Sequence, residues 1–319
     1  MRFFSKPRIL SIGGGTGLST LLRGLKNGPA ALSVIVTVSD DGGSSGRLRE
    51  DLGVMPPGDI RNCMIALSED ENLMARLFQF RFEGKGDLNN HSFGNLFLSA
   101  MSGVTQDFAE AVRLTSEVLA IKGVIYPATN SHVTLQAEFA DGSVVEGETR
   151  ITASRKKIRR VVLNPPGAQP LDAALNAIAK ADLISIGPGS LYTSLVPNLL
   201  VERIVDAVER SAARKIYIQN IMTQPGESDD MSAADHVEAL VCHSRGKLLF
   251  SRILLNNAIP SPAMLRKYEH EGAQLVGNDK ERLLAMGLEC VEADLLAKGR
   301  VIRHDPEKLG RALYSMLGV

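Results

Sequence analysis

Val34-Ile35-Val36-Thr37-Val38-Ser39-Asp40-Asp41-Gly42-Gly43-Ser44-Ser45-Gly46-Arg47 changes character at Asp40. Apolar and β-branched residues end there, two carboxylates follow, and glycine and serine come in quick succession before an arginine. The pattern reads as the carboxyl end of a buried strand opening into a loop of phosphate size. It locates a ligand before naming one. Upstream, Arg8 to Ile12 reads as a short buried strand and Gly13 to Gly17 as a turn. Leu18, Leu21, Leu22 and Leu25 then recur at helical spacing until Asn27-Gly28-Pro29 stops the helix. With Leu32 to Val38 as the second strand, these segments open a βαβ unit, whose crossover is right-handed and whose sheet is parallel.

Downstream, Ile60 to Leu119 carries apolar residues in helical segments, and Val133, Leu135, Ala137 and Phe139 alternate with polar ones. Asp141-Gly142 and the β-forming run Val144 to Ile151 complete a hairpin signal. Then α/β alternation resumes. Ala173 to Lys180, Leu199 to Val208 and Ala233 to Cys242 read as helices; Leu183 to Ile186, Lys215 to Ile218 and Leu248 to Leu255 read as strands. The fold expected is α/β, a Rossmann-like doubly wound and mainly parallel sheet. It forms one domain over residues 1 to 319, with a helical excursion at about 58 to 120 and a β-hairpin insertion at about 123 to 163.

Composition narrows the partners. The chain has 319 residues, 44% of them hydrophobic, enough for a sizeable core. Its 36 basic and 36 acidic side chains cancel, so no global field draws it to nucleic acid or an anionic membrane. The basic run Arg155-Lys156-Lys157 and Arg159-Arg160 lacks interleaved aromatic residues and reads as a solvated strand edge. No stretch approaches the ~20 apolar residues of a membrane span. Cys63, Cys242 and Cys290 are odd in number and lack metal-ligand spacing, which predicts three buried thiols in a reducing compartment. The expected location is the cytoplasm.

Gly13-Gly14-Gly15-Thr16-Gly17 lies between a strand and a helix, where glycine lets the backbone approach an oxyanion and the helix amino end offers unpaired N–H groups. It completes neither G-x-G-x-x-G nor a Walker loop. Asp40 and Asp41 end the second strand, the place where a Rossmann protein accepts hydrogen bonds from a ribose, where two carboxylates hold Mg²⁺ beside a diphosphate, or where an aspartate merely caps a turn. Arg47 and Arg49 favour an anion-facing loop. Pro56-Pro57-Gly58-Asp59-Ile60-Arg61-Asn62 is a rigid turn into a helix, with Asp59 as a cap. Arg61 is a cation where the helix dipole disfavours one, so it points to an anionic partner or a surface ion pair. Asn89-Asn90-His91-Ser92-Phe93-Gly94-Asn95 gathers hydrogen-bonding groups before an apolar helix, His91 serving as acid, base, phosphate ligand or packing residue. Gly187-Pro188-Gly189-Ser190-Leu191-Tyr192-Thr193-Ser194 repeats the logic of the first glycine loop, and two such loops at parallel strand ends clamp one ligand across a switch point. Val301-Ile302-Arg303-His304-Asp305 is a charged cluster that either closes the pocket or decorates the surface. No zinc motif occurs and Gly187-Pro188-Gly189-Ser190 is not Gly-x-Ser-x-Gly, so covalent catalysis has no visible team.

Taken together, Gly13 to Leu18, Val38 to Arg47, Pro57 to Asn62, His91 to Asn95 and Gly187 to Ser194 resemble the YvcK group of the CofD-like superfamily, the gluconeogenesis factors. The resemblance spans nearly the whole chain. It implies a cytoplasmic, homodimeric Rossmann-like protein that binds a UDP-sugar, UDP-N-acetylglucosamine in particular, and serves cell shape and wall synthesis on gluconeogenic carbon through an unidentified protein partner. Its cousin 2-phospho-L-lactate transferase attaches a phospholactyl group to a deazaflavin precursor; there an aspartate-rich segment stands where Pro57-Gly58-Asp59-Ile60-Arg61 lies here. Arginine in place of carboxylate favours direct phosphate binding over metal-assisted transfer. The expected ligand-binding residues are Gly14, Gly15, Thr16, Asp40, Asp41, Gly43, Ser44, Arg61, Asn62, His91, Asn95, Gly187, Gly189, Ser190, Thr193 and Arg303. No catalytic residue, metal ligand or obligatory cofactor is assigned; a Mg²⁺-assisted transferase is the alternative, and a nicotinamide-dependent dehydrogenase is disfavoured by the broken fingerprint.

Overall fold

The opening segment folds as its periodicity dictates: β1 (Arg8–Gly13), α1 (Gly15–Leu25) and β2 (Ala31–Val36) form the βαβ unit. α1 buries Leu18, Leu21, Leu22 and Leu25, one stripe of the helix. The chain then leaves the sheet through α2 (Gly43–Leu52), α3 (Gly58–Leu67), α4 (Glu71–Phe78), α5 (Phe93–Thr105) and α6 (Phe108–Val118), returning as β3 (Val124–Pro127). A second unit follows, built of β4 (Thr134–Phe139), β5 (Val144–Glu146), α7 (Glu148–Ser154) and β6 (Ile158–Asn164). After α8 (Asp172–Lys180) and β7 (Leu183–Ile186) come a π-helical turn (Leu191–Leu195), α9 (Val196–Leu199), α10 (Ile204–Arg210) and β8 (Arg214–Ile218). The chain finishes with α11 (Ala233–His243), β9 (Arg252–Asn256), α12 (Pro262–His270), α13 (Lys280–Ala285), β10 (Glu289–Ala293) and α14 (Pro306–Leu317). This computed structural model describes residues 6–318, without the side chains of residues 50–52.

Seven strands form one parallel sheet in the order β10-β9-β8-β7-β1-β2-β3. Helices cover its faces, so β1, β2 and β7 are buried along most of their length, with no alternation of buried and exposed residues. The strand order reverses direction between β1 and β7, and that switch point opens a crevice at the carboxyl ends. The smaller sheet, β5-β4-β6, is antiparallel, and Leu135, Ala137 and Phe139 of its central strand alternate inward. As the sequence predicted, the fold is a doubly wound parallel sheet with a small antiparallel insertion.

Several local expectations are corrected. Gly42 to Gly46 is not a loop, because α2 begins at Gly43. Val144 to Ile151 turns helical after Glu146, since Gly147 at φ 97 breaks the strand and starts α7. Val124–Pro127, within the span expected as a hairpin, pairs with β2 in the main sheet. Leu199 to Val208 is no single helix: a turn with Arg203 at φ 65 separates α9 from α10. The strand expected from Leu248 starts at Arg252. Of the three cysteines only Cys63 is buried; Cys242 is exposed and Cys290 half-buried. Of the basic run, Arg159 and Arg160 lie on β6, an edge strand, and both pair with Glu138, while Arg155, Lys156 and Lys157 precede the strand.

One crossing ties the ends of the chain together. α14 lies on α1 so closely that a Cβ on Gly24 would overlap the carbonyl of Pro306, and one on Gly310 that of Gly24. Tyr314 Oη also donates to Leu25 O at 2.7 Å.

Candidate functional site

Two glycine loops meet at the switch point. Gly14, with extended φ, precedes α1 and has no side chain to cap it, so the helix presents the N–H groups of its first turn. The second loop leaves β7 through Gly187 at φ 81, a cis Gly187–Pro188 bond and Gly189, and enters the π-helical turn at Ser190. Backbone touches backbone here: a Cβ on Gly17 would come within 2.7 Å of Pro188 O and 3.0 Å of Gly189 N. Asn220, just beyond β8, fixes the second loop from behind, accepting from Gly189 N at 3.2 Å and donating to Gly189 O at 2.7 Å.

The crevice has two chambers that share Gly15 and Ser190. The first, about 480 Å³, is lined by Thr16, Gly17, Thr20, Arg23, Gly189, Asn220, Gln224, Arg303 and His304. Arg303 is its cation without an ion-pair partner among the described residues, since Arg23 pairs with Glu71 and burial holds His304 down to about 4. The second, about 310 Å³, is lined by Asp40, Gly43, Ser44, Ser45, Asp59, Arg61, Asn62, Arg81, Asn95 and Glu148. Three carboxyls face two guanidiniums there. Arg61 is held by neutral acceptors, Ser92 Oγ at 2.8 Å, Asn95 Oδ1 at 2.9 Å and Asn62 Oδ1 at 3.1 Å, while its Nε is buried without a partner. Among the described residues no carboxylate is within ion-pair distance of it, although the charges of Asp40 and Asp59 act on it. A cavity of about 500 Å³, lined by Arg214, Lys215, Arg252 and Glu289, lies at the amino ends of β8 and β9, the opposite end of the sheet from the glycine loops.

The family model of 2-phospho-L-lactate transferase CofD matches residues 9–296. The chain belongs to the CofD family. It is 50% identical over 313 residues to the gluconeogenesis factor of Bacillus subtilis, covering 98% of each chain, and 47% identical to that of Halalkalibacterium halodurans, covering 97% of this chain and 96% of the other. A crystal structure of a UPF0052-family protein from Bacillus halodurans superposes with a TM-score of 0.94 at 46% identity, over 98% of this chain and all of the other. Among the described residues, no helix is long and apolar enough to cross a membrane.

In this CofD-family chain the predicted residues separate by position. Gly15, Thr16, Gly189, Ser190 and Arg303 line the first chamber; Asp40, Gly43, Ser44, Arg61, Asn62 and Asn95 line the second, which Gly15 and Ser190 also reach. Gly14 and Gly187 shape the loops from behind: a Cβ on Gly14 would meet Asp59 Oδ2 at 2.5 Å. His91 is buried beneath the second chamber, its Nδ1 3.1 Å from Ser44 Oγ. Two residues turn away. Asp41 accepts from Thr149 N at 2.9 Å and Thr149 Oγ1 at 2.7 Å, anchoring the start of α7, and Thr193 donates to buried Glu227 at 3.0 Å. Arg49 likewise donates to Val133 O, and neither it nor Arg47 reaches a chamber.

Sequence reasoning missed three walls. Asp59 is not a cap, since Pro57 holds that position; its carboxylate accepts from Gly15 N–H beneath the first loop. Arg81 lay in a stretch without a motif, and Glu148 in one read as a strand. By holding Thr149, Asp41 ties the first turn of α7, and with it Glu148, to the crevice.

The electrostatics follow from burial. Removal from water and the neighbouring charge of Asp40 push Asp59 up to about 7. Burial, then Asp40 and Asp59, push Glu148 up to about 9. Asp40 is raised by burial, and Arg61 is lowered by burial and by Arg81. Both raised carboxyls bind protons more tightly folded than unfolded, so their contribution is complete below the ordinary carboxyl range and is lost as pH rises towards about 7 and about 9. The thermal midpoint of the ligand-free chain will accordingly decline between about pH 5 and 9. Asp59→Asn and Glu148→Gln will each flatten that decline in a melting series; pH profiles parallel to wild type would refute the assignment.

Among the described residues, no group of three or more histidine, cysteine, aspartate or glutamate side chains is placed to hold a metal. The Asp40–Asp41 pair considered for Mg²⁺ does not converge, because Asp41 is engaged by Thr149. The carboxylates that do face each other are Asp40 and Asp59, and each would be relieved by a cation.

Proposed function

We propose that the chain is a cytoplasmic UDP-sugar-binding regulator, UDP-N-acetylglucosamine being its ligand, that serves cell shape and wall synthesis during gluconeogenic growth. The observation that carries this reading is the join of two unlike chambers at paired glycine loops. The cationic chamber, with the amino end of α1 and Arg303, suits a diphosphate. The second chamber, dense in carboxyl, amide and hydroxyl groups around Arg61, suits a polyhydroxylated sugar. The relatives named gluconeogenesis factors supply the physiological part. No obligatory cofactor is needed for binding. A homodimer is supported by the face of α4 and its exit, where Leu73, Leu77 and Phe80 are exposed at helical spacing. The protein that receives the signal belongs to cell-wall synthesis.

The alternative is a transferase that uses a phosphorylated or nucleotide-activated donor with Mg²⁺. The family model's description and the facing pair Asp40 and Asp59 favour it. In that reading these two residues would hold the cation, which would neutralise phosphate charge.

A dye-based melting panel separates the readings; the chain has no tryptophan for intrinsic fluorescence. UDP-N-acetylglucosamine at 100 times its dissociation constant will stabilise by about 2.7 kcal/mol, with or without Mg²⁺. Arg303→Ala and Arg61→Ala will each reduce the shift. Stabilisation by NAD with none by any UDP-sugar would overturn the proposal, and a strict requirement for Mg²⁺ would favour the transferase.

A further inference from the structure

A third cavity, about 260 Å³, opens where the carboxyl ends of β8, β9 and β10 meet, and it joins the cationic chamber at Asn220 and Ile221. Its chemistry is unlike that of the other two. Ile259 and Leu275 line it although they are 80% and 41% exposed, which leaves large apolar side chains at its mouth with nothing covering them. The 256–258 turn that carries this rim is rigid: Asn256 donates to Ala258 O at 2.7 Å and accepts from Ala258 N at 3.3 Å and Leu295 N at 3.0 Å. Asn278 donates to Asn256 O at 2.9 Å, which fixes its amide and leaves Oδ1 as an acceptor at the cavity edge. Glu292 also lines the cavity, and no arginine or lysine does. A phosphate is disfavoured there.

Apolar walls with amides at the edge suit a neutral, flat group that carries hydrogen-bonding atoms on its rim. The distance agrees. β9 stands two places from β7 in the sheet, about 10 Å at ordinary strand spacing, the reach of a ribose between a diphosphate and its base. On the opposite side, one place beyond β1, lies the polar chamber at the end of β2.

We propose that this slot seats the nucleobase of the nucleoside-diphosphate ligand, its ring between Ile259 and Leu275 and its edge on the Asn278 amide. The ligand then lies across the strand ends in one direction only: base over β9, ribose over β8, diphosphate between the glycine loops of β7 and β1, and sugar in the chamber beside β2. The proposal rests on the diphosphate reading of the crevice and adds its orientation and base specificity.

The test is calorimetric titration of wild type, Ile259→Asp and Glu148→Gln with UDP, UDP-N-acetylglucosamine and inorganic pyrophosphate. Ile259 is exposed, so its substitution leaves folding intact. Ile259→Asp will weaken UDP and UDP-N-acetylglucosamine by the same factor, tenfold or more, and leave pyrophosphate unchanged. Glu148→Gln will weaken the UDP-sugar and spare UDP. Unchanged UDP affinity in Ile259→Asp, or an equal loss for pyrophosphate, overturns the slot. If wild type binds GDP or NAD and no uridine nucleotide, the UDP-sugar reading fails; the slot then stands if Ile259→Asp weakens that nucleotide tenfold and falls if it does not.

Discussion

Gly17→Ala will cut by about half or more the melting shift given by a UDP-sugar at 100 times its wild-type dissociation constant, while the chain still folds. Gly17 occupies the first turn of α1, and its missing side chain is what lets the two phosphate loops touch: the added Cβ would lie 2.7 Å from Pro188 O and 2.8 Å from Pro188 C. The neighbour is backbone, and both amide atoms of Asn220 hold the adjoining Gly189, so it yields only by moving as a loop. Binding geometry tolerates about 0.5 Å of misplacement. We therefore expect a loss of affinity of at least about tenfold, or ~1.4 kcal/mol. Stability will change less, because overpacking is partly offset by the helix preference of alanine over glycine, about 1 kcal/mol. Titration of wild type and variant, with a denaturant melt of each, checks this; unaltered affinity would show that loop contact does not set the ligand site.

Gly24→Ala will have the largest effect on stability. Its Cβ would overlap the Pro306 carbonyl at the α1–α14 crossing, where Gly310 is equally close from the other side. Overpacking of ordinary severity costs about 1–3 kcal/mol, and this overlap is with backbone on both helices. Helix propensity returns about 1 kcal/mol, so we expect a net loss of about 2 kcal/mol and a midpoint lower by several degrees. There is a functional consequence. α14 starts two residues after His304, and the segment Val301 to His304 forms one wall of the cationic chamber, so moving α14 moves Arg303. Gly24→Ala should thus weaken the ligand beyond what its stability loss explains. A melt within half a degree of wild type would contradict the crossing.

The opening βαβ unit could be read from sequence because periodicity and turn residues agree there: the leucines of α1 sit at helical spacing, and glycine occupies each place where backbone meets backbone. The glycine loops and Arg61 were legible for the same reason, since a glycine-rich strand end and a cation at a helix start both break local preference. Asp41 and Thr193 were not. Their neighbours in sequence face the crevice, but their own partners, Thr149 and Glu227, lie in segments more than thirty residues away. Glu148 escaped for the converse reason, as a residue without a motif carried into the site by a helix whose first turn the distant carboxylate of Asp41 holds. The slot at Ile259 and Leu275 depends on sheet order, which strand patterns alone do not specify.

The central claim is that the switch-point crevice holds one nucleotide-diphosphate sugar. Calorimetric titration of UDP-N-acetylglucosamine into the wild-type chain tests it most directly. The account predicts one saturable site per chain, no need for Mg²⁺, and competition by UDP; absence of binding to any UDP-sugar at millimolar concentration, with the chain folded, would contradict it.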